Sequence, residues 1–115
     1  VSLNGNRLAV GAILGDGLGN GFTDSGEVYL FSFTDSAFSG GVHEATIGRG
    51  YAGPKDINLT ALANNDQFGR SVSLNGNRLA VGAERGDGFG NGWLNSGEVY
   101  LFSFADDIFS GGVHE

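Results

Sequence analysis

Cysteine and methionine are absent from the 115 residues, proline occurs only at Pro54 and lysine only at Lys55. Without cysteine there can be no disulfide framework, no thiolate metal site and no thiol nucleophile. Six basic residues stand against 13 acidic ones, a net charge of -7, and the arginines are scattered singly. A phosphate backbone calls for clustered Lys and Arg, so nucleic acid is excluded as a partner. No apolar run approaches the roughly 20 residues of a membrane-spanning helix, and no leader-like or polybasic segment is present, so no membrane insertion is expected. A sustained 3.6-residue amphipathic period is also missing: Ala61 to Asn64 is too short to count. That removes the helical and α/β classes.

Glycine fills the gap, with 22 residues and no period of three that would indicate a collagen helix. Hydrophobic residues make up 40% of the chain, nine of them Phe, enough apolar material to drive a packed core. The glycines therefore punctuate strands. Residues 1–44 realign on 72–115 at a constant offset of 71 without a gap. They differ at nine positions: Ile13/Glu84, Leu14/Arg85, Leu18/Phe89, Phe22/Trp93, Thr23/Leu94, Asp24/Asn95, Thr34/Ala105, Ser36/Asp107 and Ala37/Ile108. A fixed period of this kind redefines the fold problem as one of stacked units. The chain divides into a partial first repeat at 1–50, a linker and start of the second at 51–71, and the second repeat at 72–115. It reads as an excerpt of a longer repeat protein.

Each unit carries its strands openly. Val1 to Leu3 and Arg7 to Ala12 flank Asn4-Gly5, whose residue types suit a primed hairpin turn with positive φ at both central positions; Asn75-Gly76 repeats the signal. A loop rich in Gly, Asp and Asn follows at 15–25 and 86–96, then the strand Glu27 to Phe33. That strand is apolar on both faces, with Val28 and Leu30 on one and Tyr29, Phe31 and Phe33 on the other. A sheet with one wet face would alternate, so this one is sandwiched between neighbours, as blades are in a β-propeller. Val42 to Arg49 is a further outer strand, and Ile57 to Leu62 a short one. The expected class is all-β, with tandem four-stranded antiparallel blades of a propeller; a β-solenoid or stacked-sheet filament is the alternative.

Phe68-Gly69-Arg70-Ser71-Val72-Ser73-Leu74, then Leu79-Ala80-Val81-Gly82-Ala83, then Gly97-Glu98-Val99-Tyr100-Leu101-Phe102 resembles the FG-GAP repeat, the blade of integrin α-subunit heads and of many secreted bacterial proteins. The resemblance implies a non-catalytic, extracellular or cell-surface module that supports adhesion, with surface proteins, glycans and neighbouring repeats of the same or identical chains as partners. Integrin-like repeats place an Asp-rich calcium loop between the Phe-Gly and Gly-Ala segments. Here that position holds Leu74-Asn75-Gly76-Asn77-Arg78, without a carboxylate, so the chain is similar to the variant lacking that loop.

A different loop carries the remaining oxygen donors: Asp16, Asn20 and Asp24 in the first copy, and Asp87, Asn91 and Asn95 in the second, with Glu27 and Glu98 close by. Calcium takes six to eight oxygens, and such a loop could supply some of them. The same residues are what tight turns require, and Asp24 is replaced by neutral Asn95, so no cofactor is assigned. His43-Glu44 and His114-Glu115 lack a nucleophile or third partner for acid–base chemistry. Asn58-Leu59-Thr60 fits a glycosylation sequon. Phe22 and Trp93, taken as exposed rings at matching loop positions, are the candidate ligand-binding residues. The expected function is a structural or adhesive scaffold, with a carbohydrate- or calcium-binding propeller module or a subunit of a self-assembling filament as alternatives.

Overall fold

The computed structural model describes residues 1–115 and is all-β, built as two sheets with one hydrophobic core between them. The first sheet has the order β1 (Ser2–Asn4), β2 (Arg7–Ala12), β3 (Glu27–Ser32), β4 (Val42–Gly48) and β5 (Ile57–Asn58). The second has β6 (Phe68–Asn75), β7 (Arg78–Ala83), β8 (Glu98–Ser103) and β9 (Val113–His114). Each sheet contains four antiparallel strands in sequence order, the meander of a propeller blade, and the first adds β5 at its edge; the two sheets do not close on each other. A β-solenoid would stack its strands in parallel. The parallel pairings here are β4 with β5 and the single bridge between Gly26 and Phe68.

The hairpin turns differ from the sequence expectation. Asn4 pairs with Arg7 and Asn75 with Arg78, so the two loop residues are Gly5-Asn6 and Gly76-Asn77, one position later than Asn-Gly. Positive φ falls on Gly5 (57°) and Gly76 (56°) alone. A type II′ turn, with glycine first, needs it only there, whereas type I′ needs it at both positions. The expected strand at 57–62 shortens to Ile57–Asn58, because Leu59 and Leu62 turn inward as buried core residues.

The core explains why the aromatic strand is apolar on both faces. From the first sheet Ala9, Val28, Leu30 and Ile47 point into it, and from the second Leu79, Val81, Tyr100 and Phe102. Phe68 lies at the centre, edge-on to Tyr100 at 5.3 Å and to Phe102 at 6.2 Å between ring centroids. The two sheets thus meet through opposite faces of equivalent strands: Val28 and Leu30 of β3 look toward the second sheet, while Tyr100 and Phe102 of β8 look toward the first.

Close approach at this junction demands glycine. Gly26 has φ of 88°, and a Cβ there would lie 2.0 Å from the Phe68 carbonyl oxygen; one on Gly11 would lie 2.0 Å from the Gly69 carbonyl oxygen. Polar contacts fix the register. The Leu74 amide donates to Ser2 Oγ at 2.9 Å, and Arg7 donates to Asn77 Oδ1 at 3.2 Å with its guanidinium 5.8 Å from the centre of the Phe109 ring. At the outer rim Lys55 Nζ joins the units, donating to Glu44 at 2.5 Å and to the Ile108 carbonyl at 2.9 Å.

Candidate functional site

Six of the nine differences between the copies fall in the segments 13–24 and 84–95, between the second and third strands of each sheet. The two loops share one backbone. Each contains a 3₁₀ turn, Leu18–Asn20 or Phe89–Asn91, and each places Asn20 and Asp24, or Asn91 and Asn95, at positive φ of 50° to 56°. Asn and Asp tolerate that region better than other residues with a Cβ. Asp16 Oδ1 accepts the Asp24 amide at 2.8 Å and Asp87 Oδ1 accepts the Asn95 amide at 2.7 Å, a side-chain brace across the loop.

The six candidate oxygen donors are therefore brought into two equivalent loops, where the brace and the turns account for them. The conversion of Asp24 to Asn95 leaves this backbone unchanged, because residue 24 or 95 contributes its amide rather than its side chain. No group of three or more His, Asp or Glu side chains that could hold a metal ion is formed. At the integrin-type calcium position the chain forms the two-residue turn Gly76-Asn77, with no carboxylate and no room for a loop that wraps an ion. The residues present do not fit that ion.

Glu27 and Glu98 serve tyrosines. Glu27 is buried and its Oε2 accepts from Tyr29 Oη at 3.1 Å and from Tyr51 Oη; Glu98 accepts from Tyr100 Oη at 3.0 Å. Burial first, and then the neighbouring Glu27 carboxylate, pushes the Tyr51 hydroxyl up; burial and the Glu98 hydrogen bond do the same at Tyr100. His43 and His114 are exposed and lie 5.2 Å from the rings of Phe31 and Phe102, capping the aromatic strand. Glu44 is drawn down despite its burial, because Lys55 and Ser32 donate to its carboxylate.

Phe22 and Trp93 hold matching positions in the two loops. Phe22 is half-buried, with the Arg49 guanidinium stacked 4.2 Å from its ring centre, where it also packs over Gly17. Trp93 is exposed. Beside it, Phe89 and Leu94 are exposed as well. Phe89 replaces Leu18 and Leu94 replaces Thr23, so each of the three changes enlarges the apolar or aromatic surface of the loop. Leu18 stays more than half exposed although residues 49–50 pack against it, so this loop position remains open in a covered blade too. Sequence reasoning singled out Trp93 but missed Phe89 and Leu94. The signal was present in three of the loop's six differences, Leu18/Phe89, Phe22/Trp93 and Thr23/Leu94, which enlarge apolar groups, while Ile13/Glu84 and Leu14/Arg85 introduce charge.

A pair of antiparallel meanders, a glycine-tight junction between them and variable loops at one end make an all-β structure compatible with blades of a β-propeller. Residues 59–102 match the family model of the FG-GAP repeat. The matched span opens at buried Leu59, includes the Phe68-Gly69 junction and closes at buried Phe102. No curated protein and no solved structure matches the chain.

Proposed function

We propose that the chain is a non-catalytic extracellular or cell-surface scaffold of the adhesive type, in which stacked blades hold the loops 13–25 and 84–96 as the contact rim. The observation that carries this reading is the placement of the differences. The junction residues are identical in the two copies, while the exposed loop changes and gains Phe89, Trp93 and Leu94. Exposed clustered aromatic and aliphatic groups on a rigid frame are the composition of a binding surface. The FG-GAP match supports a place outside the cell and a role in interaction rather than turnover.

A carbohydrate-binding module is the second reading, favoured by the exposed Trp93 ring, whose flat face suits a sugar. The test is binding of the chain, and of a Phe89→Ser/Trp93→Ala/Leu94→Ser variant, to a glycan array and to immobilised cell-surface proteins. The expected result is a loss of about tenfold or more for the variant with an unchanged circular dichroism spectrum. Equal binding by the variant would remove this loop from the function. Conversion of any bound glycan to product would overturn the non-catalytic reading.

A further inference from the structure

The differences between the copies that lie outside the rim loops are Thr34/Ala105, Ser36/Asp107 and Ala37/Ile108. They belong to the loop after the third strand of each blade, at the end where Arg7 pairs with Ser32; the rim loop leaves from the other end, where Ala12 pairs with Glu27. The fold gathers Thr34 of the first copy and Asp107 and Ile108 of the second around one cleft between the two blades. Its volume is about 530 Å³, inside the range of about 300–1,000 Å³ usual for small-ligand sites. Three of its eleven lining residues are hydrophobic, too few for an apolar guest.

The lip contributed by the second blade is fixed in place. Asp106 Oδ1 accepts the amides of Ile108 and Ser110 at 3.0 and 2.9 Å, and Lys55 Nζ donates to the Ile108 carbonyl at 2.9 Å. On the floor, Arg7 donates to Asn4 Oδ1 at 3.1 Å and to Asn77 Oδ1 at 3.2 Å. Asn4 has thus used its oxygen on Arg7, and its Nδ2 is the donor it offers a guest. The Ser32 and Thr34 hydroxyls donate to Glu44 and to the Ser39 carbonyl, which leaves their oxygens as acceptors. Asp107 adds a carboxylate. Donors and acceptors therefore line the same cleft. An anion would meet the Asp107 carboxylate and a cation would meet the Arg7 guanidinium, whereas a neutral molecule with several hydroxyls, each donor and acceptor at once, matches both sets.

We propose that this cleft is a second binding site and that its ligand is a neutral sugar residue. Asn4, Arg7 and Ser32, which recur unchanged as Asn75, Arg78 and Ser103, form the constant floor. Thr34, Asp107 and Ile108 form the variable part that sets which sugar fits. The site lies at the opposite end of the blades from Phe89, Trp93 and Leu94, so it does not rest on the rim-loop reading and either can fail alone.

The test is titration of the 115-residue chain with glucose, galactose, mannose and N-acetylglucosamine to about 50 mM, a range suited to millimolar dissociation constants, read by backbone and side-chain amide NMR shifts. At least one sugar is expected to move the amides of residues 4–7, 33–42 and 107–108 saturably. The variant Asp107→Ser/Ile108→Ala gives the second copy the residues that the first copy carries at those exposed positions, so the fold is kept. It is expected to weaken binding of that sugar by about tenfold. Shifts confined to residues 84–96 would overturn the cleft and leave the rim loop as the sugar site. Equal affinity in the variant, the same shifts with glycerol or sodium acetate at equal concentration, or no shifts with any of the four sugars would overturn it as well.

Discussion

The two copies of one sequence differ most where their residues do not differ at all. Val28 and Leu30 are sealed in the core, while Val99 and Leu101, in the same Glu-Val-Tyr-Leu-Phe-Ser strand, face outward. Tyr100 and Phe102 are buried, while Tyr29 and Phe31 are only half covered. Each blade spends one face on its neighbour, and which face that is depends on its place in the stack.

The comparison is broken most strongly by truncating equivalent leucines. Leu30→Ala leaves a cavity in the core and is expected to cost about 2–5 kcal/mol, whereas Leu101→Ala, at an exposed position, is expected to change stability by less than about 1 kcal/mol. Urea unfolding of the two variants at a concentration where the chain is monomeric reads the difference directly, and equal midpoints would show that the junction is not formed in solution.

The next test separates strain from crowding. Gly26 and Gly97 both have positive φ, 88° and 79°, so alanine at either position carries a backbone penalty of about 1–2 kcal/mol. Only Gly26 also meets the Phe68 backbone, and Gly26→Ala is expected to lower the melting temperature well beyond Gly97→Ala. Similar melting temperatures would place Phe68 elsewhere.

Asp66 sharpens the comparison from between the copies. It is buried, its Oδ2 accepts the Ala63 amide at 2.8 Å, and its Oδ1 has no partner. Burial pushes its carboxyl above the ordinary range; Asp87 and Glu98 add to this, while the Ala63 amide and Arg49 oppose it. A folded-state value above the unfolded one means that the folded chain holds the proton more tightly. Stability from this group is therefore full below the ordinary aspartate range and declines as pH rises through the raised value. Asp66→Asn keeps an acceptor for Ala63 and removes the unpaired charge, so it is expected to gain about 1 kcal/mol near neutral pH and less near pH 4. Thermal melts at the two pH values check the sign; a loss at neutral pH would mean that the charge itself is used.

The smallest effect is expected at Lys55. Its pairing with Glu44 is partly exposed, so Lys55→Met should change stability by less than about 1 kcal/mol. Glu115, the counterpart of Glu44, accepts from Ser103 as Glu44 accepts from Ser32. A double-mutant cycle with Glu44→Gln isolates the pair, and a coupling well above that bound would show that the rim latch governs how the blades dock.

Much of the fold was legible in the residues. The offset of 71, the hairpins and the two-faced aromatic strand all follow from local spacing and from the alternation of side chains along a strand. The turn register was misread by one residue because Gly-Asn and Asn-Gly overlap in Asn4-Gly5-Asn6, and only the Asn4–Arg7 pairing separates them. At the site Phe22 was taken as an exposed ring, and the structure half-buries it. Arg49, 27 residues away, comes over one ring, and no local pattern encodes that.

By itself the sequence determined the all-β class, the repeat and the loop chemistry, because strand alternation, turn glycines and self-identity are local properties. Tertiary structure alone decided that the second sheet covers Val28 and Leu30, why Gly26 cannot carry a side chain and that Arg49 lies over the Phe22 ring. Those outcomes depend on what lies across the junction, and identical strands acquire different neighbours only when the blades stack.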